Sequence, residues 1–273
     1  MRNITTIRSI LQESIPSTLR HYTSFESLTN ILKVDASKGE EMCFWFSNPV
    51  QTNDPKELHF FTESLYKGSL RNHLKGHLED AQSRIGHPFT LSLTHHIESP
   101  KTYPFSEIPL WGMYGNHFNG VRLRFKYKAL KQYCEEHDDL DLVRCKYITQ
   151  TEMDTKTRNI RKIIKNNKDN YSNDFDQIYK ESVCYKGCGW LYENEWRLVH
   201  WYKGADQIGY KTDGRLYLPI KLPISLLDAV EVGPKADLSA LKVALELIKK
   251  KYSSNGIIAS FNIIESKLKI GYV

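Results

Sequence analysis

The chain has 273 residues, 40% hydrophobic, 26% charged and 12% aromatic, and 38 Lys and Arg against 32 Asp and Glu give it a formal net charge of +6. That length is ample for a real core in one domain or two. No run approaches the roughly 20 apolar residues needed to cross a bilayer, which excludes a membrane-spanning helix. The five cysteines, Cys43, Cys134, Cys145, Cys184 and Cys188, form no dense framework. The opening MRNITTIRSILQES has no apolar export core, so a reducing, cytoplasmic setting is expected.

In chain order, residues 1–15 read as a short helix or arm and TLRHYT (18–23) as a strand. TSFE (23–26) carries a capping box, with Thr23 as N-cap and Glu26 three residues on, and Phe25, Leu28, Ile31 and Leu32 follow at helical spacing. EMCFWFS (41–47) reads as a buried strand, and NPVQTNDPKE (48–57) as a loop opening a helix near Pro55. FTLSLT (89–94) alternates as a strand, residues 95–109 are a proline-broken loop, LWGMYGNHF (110–118) is a short helix and GVRLRFK (120–126) a strand. LVRCKYI (142–148) is a further strand. Residues 151–188 read as a helical insertion with a polar break at 166–174. Strands follow at 196–202, 215–220 and 229–234, then an amphipathic helix over 237–252 and one or two strands in the tail. Without strict βαβ alternation, this predicts a single α+β domain over 1–273 with split mixed, mostly antiparallel β-sheets flanked by helices. The absence of a GxGxxG or Walker loop argues against Rossmann and P-loop folds.

Four stretches carry chemistry. RHYT places His21 and Thr23 on one strand face. SNPVQTNDPKE offers Asn53 and Asp54, which also suit a turn before Pro55. In LWGMYGNHF, Trp111, Tyr114 and His117 recur every third residue and so share a helix side. In LYENEWRLVH (191–200), Glu193, Glu195 and Arg197 alternate, which on a strand puts two carboxylates and a guanidinium on one face. This face is a solvated edge, a salt-bridge ladder in which Arg197 partners Glu195, or the acidic arm of an active site. The surrounding Trp190, Tyr192 and Trp196 favour partial desolvation, which shifts carboxylate pKa values. Neither Cys184 with Cys188 nor His95 with His96 has the paired spacing of a zinc site, so no metal is expected.

As an ordered set over about 19–200, RHYTSFESLTNIL, FSNPVQTNDPKE, WGMYGNHFNGVRLRF and KGCGWLYENEWRLV resemble an uncharacterised bacterial domain-of-unknown-function family. A looser resemblance is to ADP-ribosyltransferases, through RHYT plus helix, then Trp111 and Tyr114, then Glu193-Asn194-Glu195. That resemblance implies an ADP-ribosyltransferase-like fold around a cleft for NAD, taken as substrate. It implies that Glu195 steadies an oxocarbenium-like ribose and that Glu193 orients or deprotonates the acceptor. His21 would meet the adenosine ribose and Thr23 the nicotinamide side, Tyr114 or Trp111 would stack on the ring, and Arg20 or Arg197 would meet the pyrophosphate. Asn53 and Asp54 join the cofactor-binding set. A protein or nucleic-acid acceptor, or water, would receive ADP-ribose, in a bacterial toxin or anti-phage defence role. Two other readings remain: a non-catalytic nucleic-acid- or protein-binding module using the basic segment 156–168, and a metal-dependent nuclease using Asp54, Glu193 and Glu195 with His95 or His117 as base.

Overall fold

The computed structural model describes residues 15–33, 41–49, 59–68, 70–96, 107–166, 172–204, 209–210 and 214–268. The expected N-terminal helix and the NDP turn, with Asn53 and Asp54, lie outside the described residues. In chain order the elements are β1 (Thr18–Thr23), α1 (Phe25–Ile31), β2 (Glu41–Ser47), α2 (His59–Leu65), α3 (Arg71–Ile85), β3 (His87–Thr94), α4 (Glu107–Met113), β4 (Val121–Lys126), α5 (Tyr127–Glu135), β5 (Leu140–Arg144) and β6 (Lys146–Ile148). They continue with α6 (Gln150–Asn166), α7 (Ser172–Ser182), β7 (Tyr185–Gly187), β8 (Glu195–Tyr202), β9 (Gly209–Tyr210), β10 (Leu216–Pro223), β11 (Leu227–Val232), α8 (Leu238–Ser254) and β12 (Asn262–Glu265).

Among the described residues, ten strands form one sheet ordered β12-β11-β4-β1-β3-β2-β10-β9, with β8 pairing both β3 and β5, while β6 and β7 make a separate parallel pair. Every ladder of the large sheet is antiparallel except β11–β12. The sheet divides at β3. This strand meets β1 only at Arg20–Thr94 and β2 only at Ser47–Thr90, yet pairs β8 along its length from His87–Tyr202 to Thr94–Glu195. The architecture is therefore α+β, a mostly antiparallel split sheet flanked by helices.

Period two along β8 builds two cores at once. Trp196 and Leu198 enter a core with Leu19, Phe44, Phe125 and Leu245. Val199 and Trp201 face the other way, into a core with Phe61, Leu74, Met153 and Phe175 from α2, α3, α6 and α7. The expected helical insertion thus packs with α2 and α3 over the second face of the sheet. It stops at Ser182, and Tyr185–Gly187 is a strand rather than helix.

Other expectations are corrected by local hydrogen bonding. The N-cap of α1 is Ser24, whose Oγ accepts from Ser27 N at 3.0 Å; Thr23 stays in the β1 ladder opposite Val121. LVRCKYI is two strands. At buried Cys145 the chain passes from one partner to another, Cys145 N donating to Glu195 O at 2.9 Å and Lys146 N to Cys184 O at 2.6 Å. β2 is buried on one face only: Met42, Phe44 and Phe46 turn inward and Trp45 is 45% exposed.

Candidate active site

Glu193 and Glu195 reach the same place by different backbones. Cys188–Glu193 coil into a 3-10 turn, Asn194 takes the left-handed conformation at φ 42° and ψ 53°, and β8 begins at Glu195. The alternating strand expected from residue 191 therefore starts only at Glu195. Asn tolerates this conformation better than most residues. Here it is held by Asn194 Nδ2 donating to His95 O at 2.6 Å and by Asn194 Oδ1 accepting from Arg144 Nη2 at 3.1 Å.

One ammonium joins the two carboxylates. Lys186 Nζ, from β7, donates to Glu193 Oε2 at 2.6 Å and to Glu195 Oε2 at 2.8 Å. Arg197 shares Glu195's face of β8 and donates through Nε at 3.1 Å and Nη2 at 3.2 Å. Ser92 Oγ donates to Glu195 Oε1 at 2.7 Å, and Tyr114 OH donates to Glu193 Oε1 at 2.8 Å. His21 Nδ1 lies 2.9 Å from the carbonyl oxygen of Ser92. His21 thus reaches the acid pair through a single residue of β3.

The environments push the two acids apart. Burial holds the Glu193 carboxyl above the usual range, although Lys186 opposes this. Burial acts the same way on Glu195, but Arg197 and Lys186 outweigh it and hold that group well below the usual range. Burial and the neighbouring Glu193 raise the Tyr114 phenol far above its ordinary value. Burial lowers His21, which favours the neutral imidazole. Two carboxylates with opposed shifts are the pattern of an acid/base pair.

His21, Tyr114, Lys186, Glu193 and Glu195 all line one cleft of about 260 Å³. Ser92 and Trp190 contribute to its walls, and exposed Trp45 and Arg215 line it together with Tyr217.

Tyr114 is aimed by an unusual turn. After α4, Asn116, His117 and Phe118 all have positive φ, at 47°, 51° and 72°. A left-handed run costs roughly 1–2 kcal/mol per residue, so neighbouring structure must enforce it. Phe118 N donates to Trp111 O at 3.1 Å and Lys235 N to Phe118 O at 3.1 Å. A Cβ on Gly233 would lie 2.4 Å from Phe118 O, and one on Gly120 2.4 Å from Thr23 O, so both sites require glycine. This turn ends the helix before His117. The expected shared side of Trp111, Tyr114 and His117 therefore does not form, and His117 is exposed.

Several expected site residues serve elsewhere. Trp111 is fully buried, edge-on to Tyr22 with ring centroids 5.0 Å apart, and cannot stack on a ligand. Arg197 is 1% exposed and committed to Glu195 and to Val183 O, which removes it as a pyrophosphate contact. Arg20 is buried in a second ionic cluster, its Nη1 3.9 Å from Glu107 Oε1. Thr23 is buried at the end of β1 and is not among the cleft residues. His95 is buried too, its pKa lowered to about 4 by burial and by Arg144. Among the described residues no group of three or more His, Cys, Asp or Glu converges as metal ligands. Lys186 Nζ lies between the two acids, 2.6 and 2.8 Å from their carboxylate oxygens, and Asp54, the third residue of the expected nuclease centre, lies outside the described residues.

Two residues were missed by sequence reasoning. Lys186 opens the stretch KGCGWLYENEWR, ahead of Trp190 and Glu193, but nothing in its spacing reveals that it turns back onto both acids. Ser92 is a cleft-facing position of β3 that alternation alone leaves indistinguishable from a solvated one.

No curated protein and no solved structure matches this chain. No helix among the described residues is long and apolar enough to cross a membrane. Residues 110–198, which include Tyr114, Lys186, Glu193, Glu195 and Arg197 but not His21, match the model of a family described as "Protein of unknown function (DUF2971)".

Proposed function

We propose that the cleft breaks the nicotinamide–ribose bond of NAD and passes ADP-ribose to a macromolecular acceptor or to water, in an ADP-ribosyltransferase-like fold. The observation that supports this is the meeting of His21, Tyr114, Glu193 and Glu195, from β1, the end of α4, a 3-10 turn and β8, around one cleft. At about 260 Å³ the cleft lies just under the usual range for small-molecule pockets, so it suits the nicotinamide ribose end, with the rest of the dinucleotide along its open side.

The chemistry divides unequally between the acids. As the bond breaks, its electron pair leaves with nicotinamide and positive charge develops on the ribose. The acceptor oxygen attacks that carbon, and its proton passes to Glu193. Glu195 is already neutralised by Arg197 and Lys186, so its part is to hold Lys186 and the cleft floor in place. Tyr114 orients the Glu193 carboxylate.

The test is nicotinamide release from NAD, with and without candidate protein and nucleic-acid acceptors. Glu193→Gln should lower the rate roughly 10²–10⁴-fold while leaving the melting temperature nearly unchanged. Absence of nicotinamide release from the wild-type protein under all acceptors overturns the proposal. Glu195→Gln is a poor substitute, because it strands Arg197 and Lys186 and threatens the fold.

One observation favours a second reading, a polyanion-binding module: Arg158, Lys162 and Lys165 are exposed on α6. That role predicts nucleic-acid binding that weakens steeply with salt and with charge reversal at these three positions.

A further inference from the structure

We infer that Trp45, Tyr217 and Arg215 form a recognition rim for a planar base that carries a phosphate. The inference rests on reading the cleft as a nucleotide site. Trp45 is the only aromatic among the exposed large hydrophobic side chains of the described residues, and its exposed indole lines this cleft. β2 and β10 pair with Trp45 opposite Pro219 and Ser47 opposite Tyr217, which places Trp45 and Tyr217 diagonally on one face. The next residues on that face of β2, Cys43 and Ser47, are small, and Trp45 between them is 45% exposed. A strand position serving only solvent would carry a polar residue; a half-exposed indole on a cleft wall is suited to stacking.

Charge then sets the ligand's direction. On the floor the carboxylates and the Lys186 ammonium are already committed to one another, so the floor offers a phosphate little attraction. Of the permanently cationic side chains lining the cleft, Lys186 is buried on the floor between both acids and Arg215 is the one at the solvent-exposed mouth. A nucleotide therefore enters with its base against Trp45 and Tyr217, its phosphate toward Arg215 and its sugar toward Glu193. The same chemistry is presented by NAD and by a single nucleic-acid strand.

Calorimetric titration of the full chain with adenosine, AMP, NAD and a short single-stranded oligonucleotide tests the rim. Both Trp45→Ala and Arg215→Ala alter exposed side chains, so folding should survive. Trp45→Ala should weaken AMP and NAD about tenfold or more. Arg215→Ala should weaken AMP but not adenosine. Oligonucleotide binding that is tighter than AMP binding and lost in Trp45→Ala identifies a strand as the source. Unchanged AMP and NAD affinities in both variants overturn the inference. If the wild type releases nicotinamide while both variants keep its KM, the rim is wrong and the NAD reading stands. Trp45-dependent AMP binding without nicotinamide release keeps the rim and removes the NAD reading.

Discussion

Two buried ionic clusters in this protein have the same formal composition and different fates. In one, Glu193 and Glu195 face Lys186 and Arg197. In the other, Glu107 and Glu231 face Arg20 and Arg122. Arg122 donates Nε and Nη2 to Glu231 at 3.0 and 2.6 Å, and Nη1 to Glu107 at 2.6 Å and to Tyr22 OH at 2.8 Å. The ring of Trp111 lies 5.4 Å from its guanidinium carbon. A planar fork saturated by two carboxylates and covered by an indole is a structural lock. The cleft cluster instead shares one compact ammonium between two acids and opens onto a cavity. Buried charge alone therefore does not mark a site; access and unequal titration do.

Arg122→Leu should have the largest effect on stability. It strands two buried carboxylates and should cost about 3–5 kcal/mol, read by urea unfolding. A loss below about 1 kcal/mol would show that the sealed cluster is not a lock. Glu193→Gln, by contrast, should spare stability while removing nicotinamide release, as described above.

Acidity separates the clusters next. Glu195 and Glu107 both sit below the ordinary carboxylate range, burial being outweighed by Arg197 and Lys186 in one and by Arg122 and His96 in the other. Their stabilisation is present above that range and is lost as pH falls below it, through their lowered folded values. Glu193 has the opposite sign. Its folded value is raised, so its contribution is complete below the ordinary range and declines as pH rises toward the raised value. Unfolding free energies across acid to neutral pH should show that upper decline in the wild type and not in Glu193→Gln.

Tyr114→Phe removes a hydrogen bond that favours the charged form of Glu193, so the acid-limb pKa of nicotinamide release, set by this base, should move upward, with a stability loss of about 1.5–3 kcal/mol. An unmoved limb would assign that titration to another group. Ser92→Ala is the mildest change. It deletes one donor to Glu195 and should cost about 1 kcal/mol, measured by thermal melting.

Much of the fold was legible in the chain because strands announce themselves by local alternation. TLRHYT and EMCFWFS coincide with β1 and β2, and the 237–252 helix with α8, capped by Asp237 accepting from Ser239 N and Ala240 N at 3.0 Å. The failures fall where long-range contacts override local pattern: at Asn194, where His95 and Arg144 hold a left-handed residue; at Cys145, where the chain changes partner; and after Met113, where Gly120 and Gly233 admit a left-handed turn.

What the sequence itself determined was the chemical inventory and its local spacing: an α+β chain with histidine, tyrosine and paired glutamates in separated segments. Which of them share a cavity depends on long-range packing. It brought Lys186 between the acids, drew Ser92 against Glu195, and sent Trp111, Arg20 and Arg197 into the interior. The physical reason is that alternation fixes which face a side chain takes, whereas the division of the sheet at β3 fixes what that face meets.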